Sequence, residues 1–236
     1  MRAHHRRPAR SHAEEQQRPN STDSSAGVGA SKQRGLDTHN RGQRKDNPIV
    51  FLDVSIEGKP AGRFTIELRA DVAPTAAENF RLLVTGERGS TADHTPLHYK
   101  GSCFHRIVKD QGLYGGDLQS SDGSGRVTAF GAPCFKDENF MLRHVGPGVI
   151  SCVNTGIDSN NSQFMIPTVD APYLDGLQVV FGVLVGQQSH DLLAAIEATG
   201  SDEHGTPTAA VVITDCGQLY PVIKFKAGRG STTATH

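Results

Sequence analysis

The chain has 236 residues, of which 36% are hydrophobic, and it contains no tryptophan. A formal net charge of -1 excludes a surface that is biased as a whole towards nucleic acids or acidic membranes. No stretch of the sequence approaches the ~18 consecutive apolar residues of a membrane-spanning helix, so no membrane association is expected. Length and composition therefore predict a single globular domain with a tail.

Charge is distributed unevenly along the chain. Residues 1–46 contain ten Lys or Arg and five Asp or Glu, a net charge of +5, which leaves -6 for the remainder. Large apolar residues are almost absent from this segment, so it cannot bury enough surface to offset the entropy lost on ordering. We expect residues 1–46 to form a disordered basic tail. Contact with nucleic acid is expected, if at all, only through this tail.

Cysteine usage and the N-terminal sequence bear on the compartment. The four cysteines lack CxxC spacing and stand among apolar neighbours, which favours free buried thiols over disulfides or a metal site. The N-terminus lacks the apolar core of a secretory signal. These features predict a cytoplasmic or nuclear protein. A mitochondrial presequence stays an alternative because of the arginines, although Glu14 and Glu15 count against it.

The first elements of the expected domain are a hairpin and a helix. Residues 49–56 and 62–68 are rich in β-branched and aromatic residues, and the second run alternates apolar with polar residues, which predicts two paired strands. Pro74 opens a helix in whose first turn its missing N–H does no harm, and Gly86 ends that helix.

Residues 103–108 read as an apolar strand that carries one cation, Arg106. A guanidinium among Phe, Ile and Val is costly to desolvate unless a carboxylate pairs with it or it points into a cleft. The plainer alternative is a strand arginine whose head reaches solvent.

Later elements follow in short runs. Residues 119–132 lack periodicity and are predicted to be surface loops. Further strands are predicted at residues 148–153, 163–167, 179–185 and 210–214. A second helix is predicted from Ser189, as its cap, to Ala198.

Several motifs, in this order, resemble the cyclophilins, which are peptidyl-prolyl cis-trans isomerases inhibited by cyclosporin. They are Pro74 to Arg81, Tyr99 to Arg106, Gly115-Gly116-Asp117, Asp137 to Phe140, Gly146 to Ser151, Asn160 to Phe164, Leu174-Asp175-Gly176, Val179 to Gly182 and Asp215 to Leu219. The resemblance covers residues 47–219 and leaves residues 220–236 as a short C-terminal tail. It implies an all-β fold, a closed eight-stranded antiparallel barrel capped by two α-helices. It also implies a monomer that needs no cofactor and no metal.

The resemblance implies a peptidyl-prolyl cis-trans isomerase that assists protein folding. Rotation about an Xaa-Pro bond faces a barrier of about 20 kcal/mol because the twisted amide loses resonance. A catalyst lowers it by binding the twisted form more tightly than the planar ones. By resemblance Arg106 donates to the prolyl nitrogen, Gln163 holds a substrate carbonyl through its amide, and Asn154 clamps the peptide backbone.

The apolar slot for the proline ring departs from the family pattern. Gln111, Gly112 and Tyr114 stand where the family has Phe, Met and Gln. Met165 replaces a phenylalanine, Tyr173 a tryptophan, Gln178 a histidine, and Val153 and Thr155 two alanines, whereas Leu174 is retained. The resemblance therefore implies that these residues, apart from Gly112, contact the substrate through a thinner apolar wall, with cyclosporin bound weakly at best.

Three functions remain open at this point. The first is an isomerase of proline-containing peptides with reduced activity, favoured by Arg106, Asn154 and Gln163 together. The second is a proline-peptide binding module with little or no turnover, favoured by the changes at Gln111 and Gly112. The third is a scaffold whose tails carry the function. A metal site built from histidines 94, 98 and 105 with Cys103 is disfavoured, because His105 belongs to the family's structural strand.

Overall fold

The computed structural model describes residues 46–221. The basic tail predicted over residues 1–46 lies outside these residues except for Asp46, as does most of the segment 220–236. Tyr220, the first residue of the predicted C-terminal tail, is the last residue of the final strand. Among the described helices none is long and apolar enough to cross a membrane.

Eight strands form one sheet in which every pair is antiparallel. The strands are β1 (Ile49–Ile56), β2 (Lys59–Leu68), β3 (Phe104–Val108), β4 (Gly112–Gly115), β5 (Val149–Cys152), β6 (Phe164–Pro167), β7 (Val180–Leu184) and β8 (Val211–Tyr220). Their order in the sheet is β3-β4-β6-β5-β7-β2-β1-β8. Two α-helices, α1 (Pro74–Thr85) and α2 (Gln187–Glu197), and a 3-10 helix, η1 (Pro172–Leu174), complete the fold. The all-β class with two helices agrees with the sequence prediction.

The β1–β2 hairpin turns on two residues in the left-handed region, Glu57 with φ 51° and Gly58 with φ 73°. A two-residue turn of this kind matches the twist of the strands that it joins. The alternating pattern of β1 buries Val50, Leu52 and Val54, which is the period of a strand with one face on the core. The predicted hairpin is confirmed.

Helix α1 begins and ends where its local signals predict. Pro74 occupies the first turn, and Gly86 caps the C-terminus at φ 67° while its N–H donates to the Leu82 carbonyl. Helix α2 begins at Gln187, two residues before the predicted cap Ser189. The Ser189 hydroxyl instead accepts from the Thr65 amide of β2 at 3.0 Å, which no local pattern reveals.

The core lies between α1 and the inner face of the sheet. Phe80 of α1 contacts the rings of Tyr99, Phe164 and Phe181, with centroids 5.0–5.2 Å apart. Tilted and edge-to-face arrangements at these distances are the favourable ones for aromatic rings. Phe164 therefore faces the core, as predicted, and Met165, the next residue of β6, lies on the opposite face of the sheet.

The two outer strands, β3 and β8, approach each other without pairing along their length. The Gly101 amide donates to the Ile213 carbonyl at 2.7 Å, and the Ile213 amide donates to Ser102 at 2.9 Å. A single bridge pairs Cys103 with Val212. We refer to residues 101–103 and 212–213 as the seam.

The sequence prediction of a closed barrel is wrong, because β3 and β8 do not pair in a continuous ladder. The Ile107 amide of β3 donates to the Gly205 carbonyl at 2.8 Å, so a loop occupies the edge that a ladder to β8 would need. The eight strands form a curled half-barrel whose open side is crossed by the seam.

Candidate active site

The outer face of strands β3 to β6 carries a row of cross-strand neighbours. Tyr114 is opposite Arg106 on one side and opposite Met165 on the other, and Ser151 follows opposite Met165. Directly opposed residues of antiparallel strands share a face, so these four side chains lie on one surface, which we call the site face. The sheet thus places the predicted donor Arg106 next to Tyr114 and on the same face as Met165 and Ser151.

Arg106 is exposed rather than buried in an apolar strand. Its guanidinium carbon lies 5.2 Å from the centre of the Tyr114 ring, and within residues 46–221 no carboxylate oxygen lies within 4.0 Å of its nitrogens. The sequence offered two functional expectations for this cation, a paired carboxylate or a position in a cleft. The first of them is not met among the described residues. The side chain of Arg106 is therefore accessible to a ligand.

Tyr114 links Arg106 electrostatically to the next part of the site. Burial raises the pKa of the Tyr114 hydroxyl, the Arg106 charge lowers it, and Tyr173 raises it, with a net upward shift. Tyr173 therefore lies within electrostatic reach of Tyr114.

Gln163 is buried, 4% exposed, and its amide is already engaged. Nε2 donates to the carbonyls of Gly123 at 3.1 Å and Gly125 at 2.7 Å, which uses both of its protons. The expectation that this amide donates to a substrate carbonyl does not fit that arrangement. Only the Oε1 acceptor is left for a ligand, and Nε2 anchors the loop.

Asp117 organises the loop that Gln163 contacts. Its carboxylate accepts hydrogen bonds from five backbone amides, those of residues 119, 120, 122, 123 and 125, at 2.8–3.2 Å. Burial raises the pKa of Asp117, but these amides outweigh it and lower the pKa to about 2. In the sequence, Gly115-Gly116-Asp117 stands out only as a family motif. The structural role of Asp117 could not be predicted, because the loop that it holds has no periodic pattern.

Asn154 presents open backbone groups after strand β5. Its side-chain Nδ2 donates to the Leu177 carbonyl at 2.7 Å. Within the described chain its own N–H and C=O make no hydrogen bond. Val153 beside it is half-buried and donates its amide to the Gln163 carbonyl, whereas Thr155 is exposed in a turn closed by Ser159. The backbone of Asn154 is thus available for pairing with an extended peptide.

Helix η1 carries two residues that are predicted to contact the substrate, Tyr173 and Leu174. Tyr173 is 52% exposed and Leu174 is half-buried. The carboxylate of Asp175 accepts from the backbone amide of His144 at 2.9 Å and contacts its ring Nδ1 at 3.0 Å, which fixes the end of η1. His144 was not singled out in the sequence, because its importance depends on this contact with a residue 31 positions away.

Gln178 and Gln111 lie at two ends of the site face. The Gln178 side chain accepts a hydrogen bond from the Ser151 hydroxyl at 3.0 Å, so it joins the row of cross-strand neighbours. Gln111 is half-buried in the turn between β3 and β4, where its amide donates to the Val108 carbonyl. Gln111 therefore lies in the turn next to the Gly112 end of β4, and Gln178 lies at the Ser151 end of the row.

The proline slot is narrower than the sequence predicted. Met165 is fully buried, with 0% of its surface exposed, so it does not line an open pocket here. A Cβ placed on Gly112 would lie 2.8 Å from the Met165 methyl carbon and 2.8 Å from the Ile166 carbonyl oxygen. The space of the absent side chain at position 112 is therefore filled by Met165. Among the residues predicted to contact substrate, Tyr173 is exposed, and Tyr114, Val153 and Leu174 are half-buried.

His98 and Cys216 are neighbours in the described structure. Residues 46–221 contain no cluster of three His, Cys, Asp or Glu side chains that could hold a metal ion. His98 contacts the Val84 carbonyl at 3.2 Å and the Cys216 sulfur at 3.3 Å. Burial raises the pKa of Cys216 to about 12, so this thiol stays protonated near neutral pH. All four cysteines are free, and Cys134 is exposed where a buried thiol was expected.

The site face therefore combines an accessible cation, open backbone groups and apolar side chains, a set suited to gripping an extended peptide without a covalent step. Comparison with protein families gives a match to the family described as cyclophilin type peptidyl-prolyl cis-trans isomerase, over residues 51–218. This match spans more than two thirds of the chain and coincides with the sheet and both helices. The protein belongs to the cyclophilin-type peptidyl-prolyl cis-trans isomerases.

Proposed function

We propose that this cyclophilin domain is an active but weakened prolyl isomerase in which Arg106 donates to the prolyl nitrogen. The observation that carries the proposal is the state of the guanidinium, which is exposed on the site face and free of any carboxylate of residues 46–221 within 4.0 Å. A cation already paired with a carboxylate would have to give up that partner before it could donate to substrate.

The remaining residues supply the grip on the peptide. The open N–H and C=O of Asn154 pair with the substrate backbone, and Tyr173 with Leu174 contact the proline ring. As the amide twists, its nitrogen lone pair localises and becomes an acceptor for Arg106. Because that hydrogen bond is strongest in the twisted form, binding energy lowers the barrier and no covalent intermediate is required.

Reduced activity follows from the filled slot. Met165 is fully buried, so the proline ring contacts the more accessible side chains of η1 in its place. Each lost apolar contact removes roughly one to three kcal/mol of binding. The same deficit, with tyrosine at position 173 in place of the family's indole donor, makes cyclosporin a weak ligand. The domain is proposed to act as a monomer on proline-containing segments.

The decisive variant is Arg106→Ala, measured by NMR exchange spectroscopy on a short Xaa-Pro peptide. We expect the exchange rate catalysed by the wild-type protein to fall by about a hundredfold, the effect of losing one well-placed donor. Arg88→Ala, which removes another exposed arginine away from the site face, serves as the matched control and should keep full activity. Equal catalysis by wild type and Arg106→Ala overturns the proposed mechanism.

The second function, a proline-peptide binding module without turnover, is favoured by the burial of Met165. In that case the peptide should shift the NMR signals of residues on the site face while its own cis and trans signals show no added exchange. An active isomerase produces both effects. The two functions are therefore separated by one titration in which both molecules are observed.

A further inference from the structure

Arg106 is held from both edges of strand β3. On the β4 side its side chain stacks on Tyr114, with 5.2 Å from the guanidinium carbon to the ring centre. On the opposite edge the Ile107 amide donates to the Gly205 carbonyl at 2.8 Å, which brings a distant loop against the arginine. No carboxylate of the described residues pairs with the Arg106 guanidinium. Stacking on Tyr114 and contact with the backbone of the Gly205 loop hold the side chain instead.

The contact with Gly205 is close. A Cβ built on this residue would lie 3.0 Å from Arg106 Cγ and 3.2 Å from Arg106 Nε, tighter than ordinary side-chain contacts. Gly205 also has φ +86°, a region that favours glycine. Both the backbone conformation and the available space therefore favour glycine at position 205.

The loop that carries Gly205 is itself fixed by one carboxylate. Asp202 Oδ1 accepts from the amides of His204 at 2.9 Å and Thr206 at 2.8 Å. The Asp202 backbone closes the same turn, donating to the Thr206 carbonyl and accepting from the Gly205 amide, each at 3.0 Å. We call residues 202–206 the seating turn. Its geometry determines where Gly205 meets the arginine.

We propose that the seating turn and Tyr114 are positioning elements for the reaction, which together hold the Arg106 side chain at the orientation needed to reach the prolyl nitrogen. The inference rests on the proposed function, since it assigns a use to the donor named there. A long arginine side chain has many rotamers, and a side chain that is seated before substrate binds loses less entropy when it makes its hydrogen bond. Seating should therefore affect the chemical step more than peptide binding.

The test compares Gly205→Ala with Gly131→Ala. Gly131 has φ +84° and nothing within 4 Å of the position that a Cβ would take, so its alanine variant carries the same backbone strain without a contact to Arg106. We expect Gly205→Ala to lower kcat by about ten- to a hundredfold with KM changed by less than about twofold. Gly131→Ala should leave both constants unchanged.

A second pair of variants avoids any effect of strain. Tyr114→Leu removes the ring and should lower kcat, whereas Tyr114→Phe keeps the ring and should restore most of it. The Nε–H signal of Arg106 in a nitrogen-15 spectrum provides a readout of seating, and it should shift in the Leu and Gly205→Ala variants. Phe51→Leu is the matched control, because Phe51 stacks under Arg63 on strands β1 and β2, which do not pair with β3 or β4.

The outcomes separate this inference from the proposed function. Loss of activity in Arg106→Ala with full activity in both Gly205→Ala and Tyr114→Leu overturns the positioning role and leaves the donor role intact. Full activity in Arg106→Ala overturns the donor role and the positioning role together. A fall in kcat with an unshifted Arg106 Nε–H signal also overturns the inference, because the loss would then arise without reseating of the side chain.

Discussion

At the scale of single residues, Gly112 and Met165 share one space on the site face. The methyl carbon of Met165 and the Ile166 carbonyl oxygen each lie 2.8 Å from a Cβ that position 112 would add. The sequence suggests that glycine empties the slot here, but the neighbouring methionine has filled it. Cores that are already close-packed tolerate added atoms poorly.

Gly112→Ala should therefore destabilise the fold by about 1–3 kcal/mol, measured as the free energy of unfolding in urea. Gly146→Ala is the matched control, because its added Cβ would meet only the Asp170 carboxylate at an ordinary 3.6 Å. A loss of stability that is equal in the two variants would mean that the space above Gly112 is open.

At the scale of the element, the loop after β4 depends on the ionised carboxylate of Asp117. Burial raises the pKa of this group and the five backbone amides lower it, with the result at about 2. An unfolded Asp titrates near 3.9. Because the folded pKa is the lower one, the stabilisation is present above about pH 4 and is lost as the pH falls towards 2.

Asp117→Asn should cost about 2 kcal/mol of unfolding free energy at pH 7, and the difference from the wild-type protein should shrink between about pH 4 and pH 2. Urea unfolding at a series of pH values measures it. Asp122→Asn is the control on the same loop, since that exposed carboxylate accepts from one backbone amide of residues 46–221, that of Ser124, instead of five. The prediction is contradicted if the difference in unfolding free energy between the wild-type protein and Asp117→Asn stays constant between about pH 4 and pH 2.

Local signals in the sequence predict elements, and long-range contacts correct their ends. Pro74 and Gly86 bound α1 because the missing N–H and the left-handed cap act within one turn of the helix. The start of α2 is missed because Ser189 bonds a strand residue 124 positions away. The engagement of Gln163 by loop carbonyls is missed for the same reason, since it joins segments 38–40 residues apart.

At the scale of the whole molecule, the sequence predicts the strands and the family but not how the sheet closes. Closure depends on how many residues β3 and β8 can pair, and the contact of β3 with Gly205 decides this from outside both strands. Arg106 could be recognised from the residues around it, whereas no periodic pattern in the sequence indicates the seating turn. One loop thus limits closure of the sheet and contacts the candidate donor.

The seam should be the weak line of this fold, because one bridge and a few isolated hydrogen bonds replace a continuous ladder there. Stability in a folded protein is not uniform, and regions with few cooperative hydrogen bonds open locally. We expect the amides of Gly101 and Ile213, which cross the seam, and that of Ile107, which bonds the Gly205 carbonyl, to exchange with solvent deuterium as one group. Their exchange should be at least about tenfold faster than that of ladder amides in β1 and β2, an opening free energy lower by about 1.4 kcal/mol. Native-state hydrogen exchange followed by NMR measures this directly, with the paired residues Leu52 and Phe64 as internal references. Equal protection on both sides would show that the edges behave as a continuous barrel, and the half-barrel description would then fail in solution.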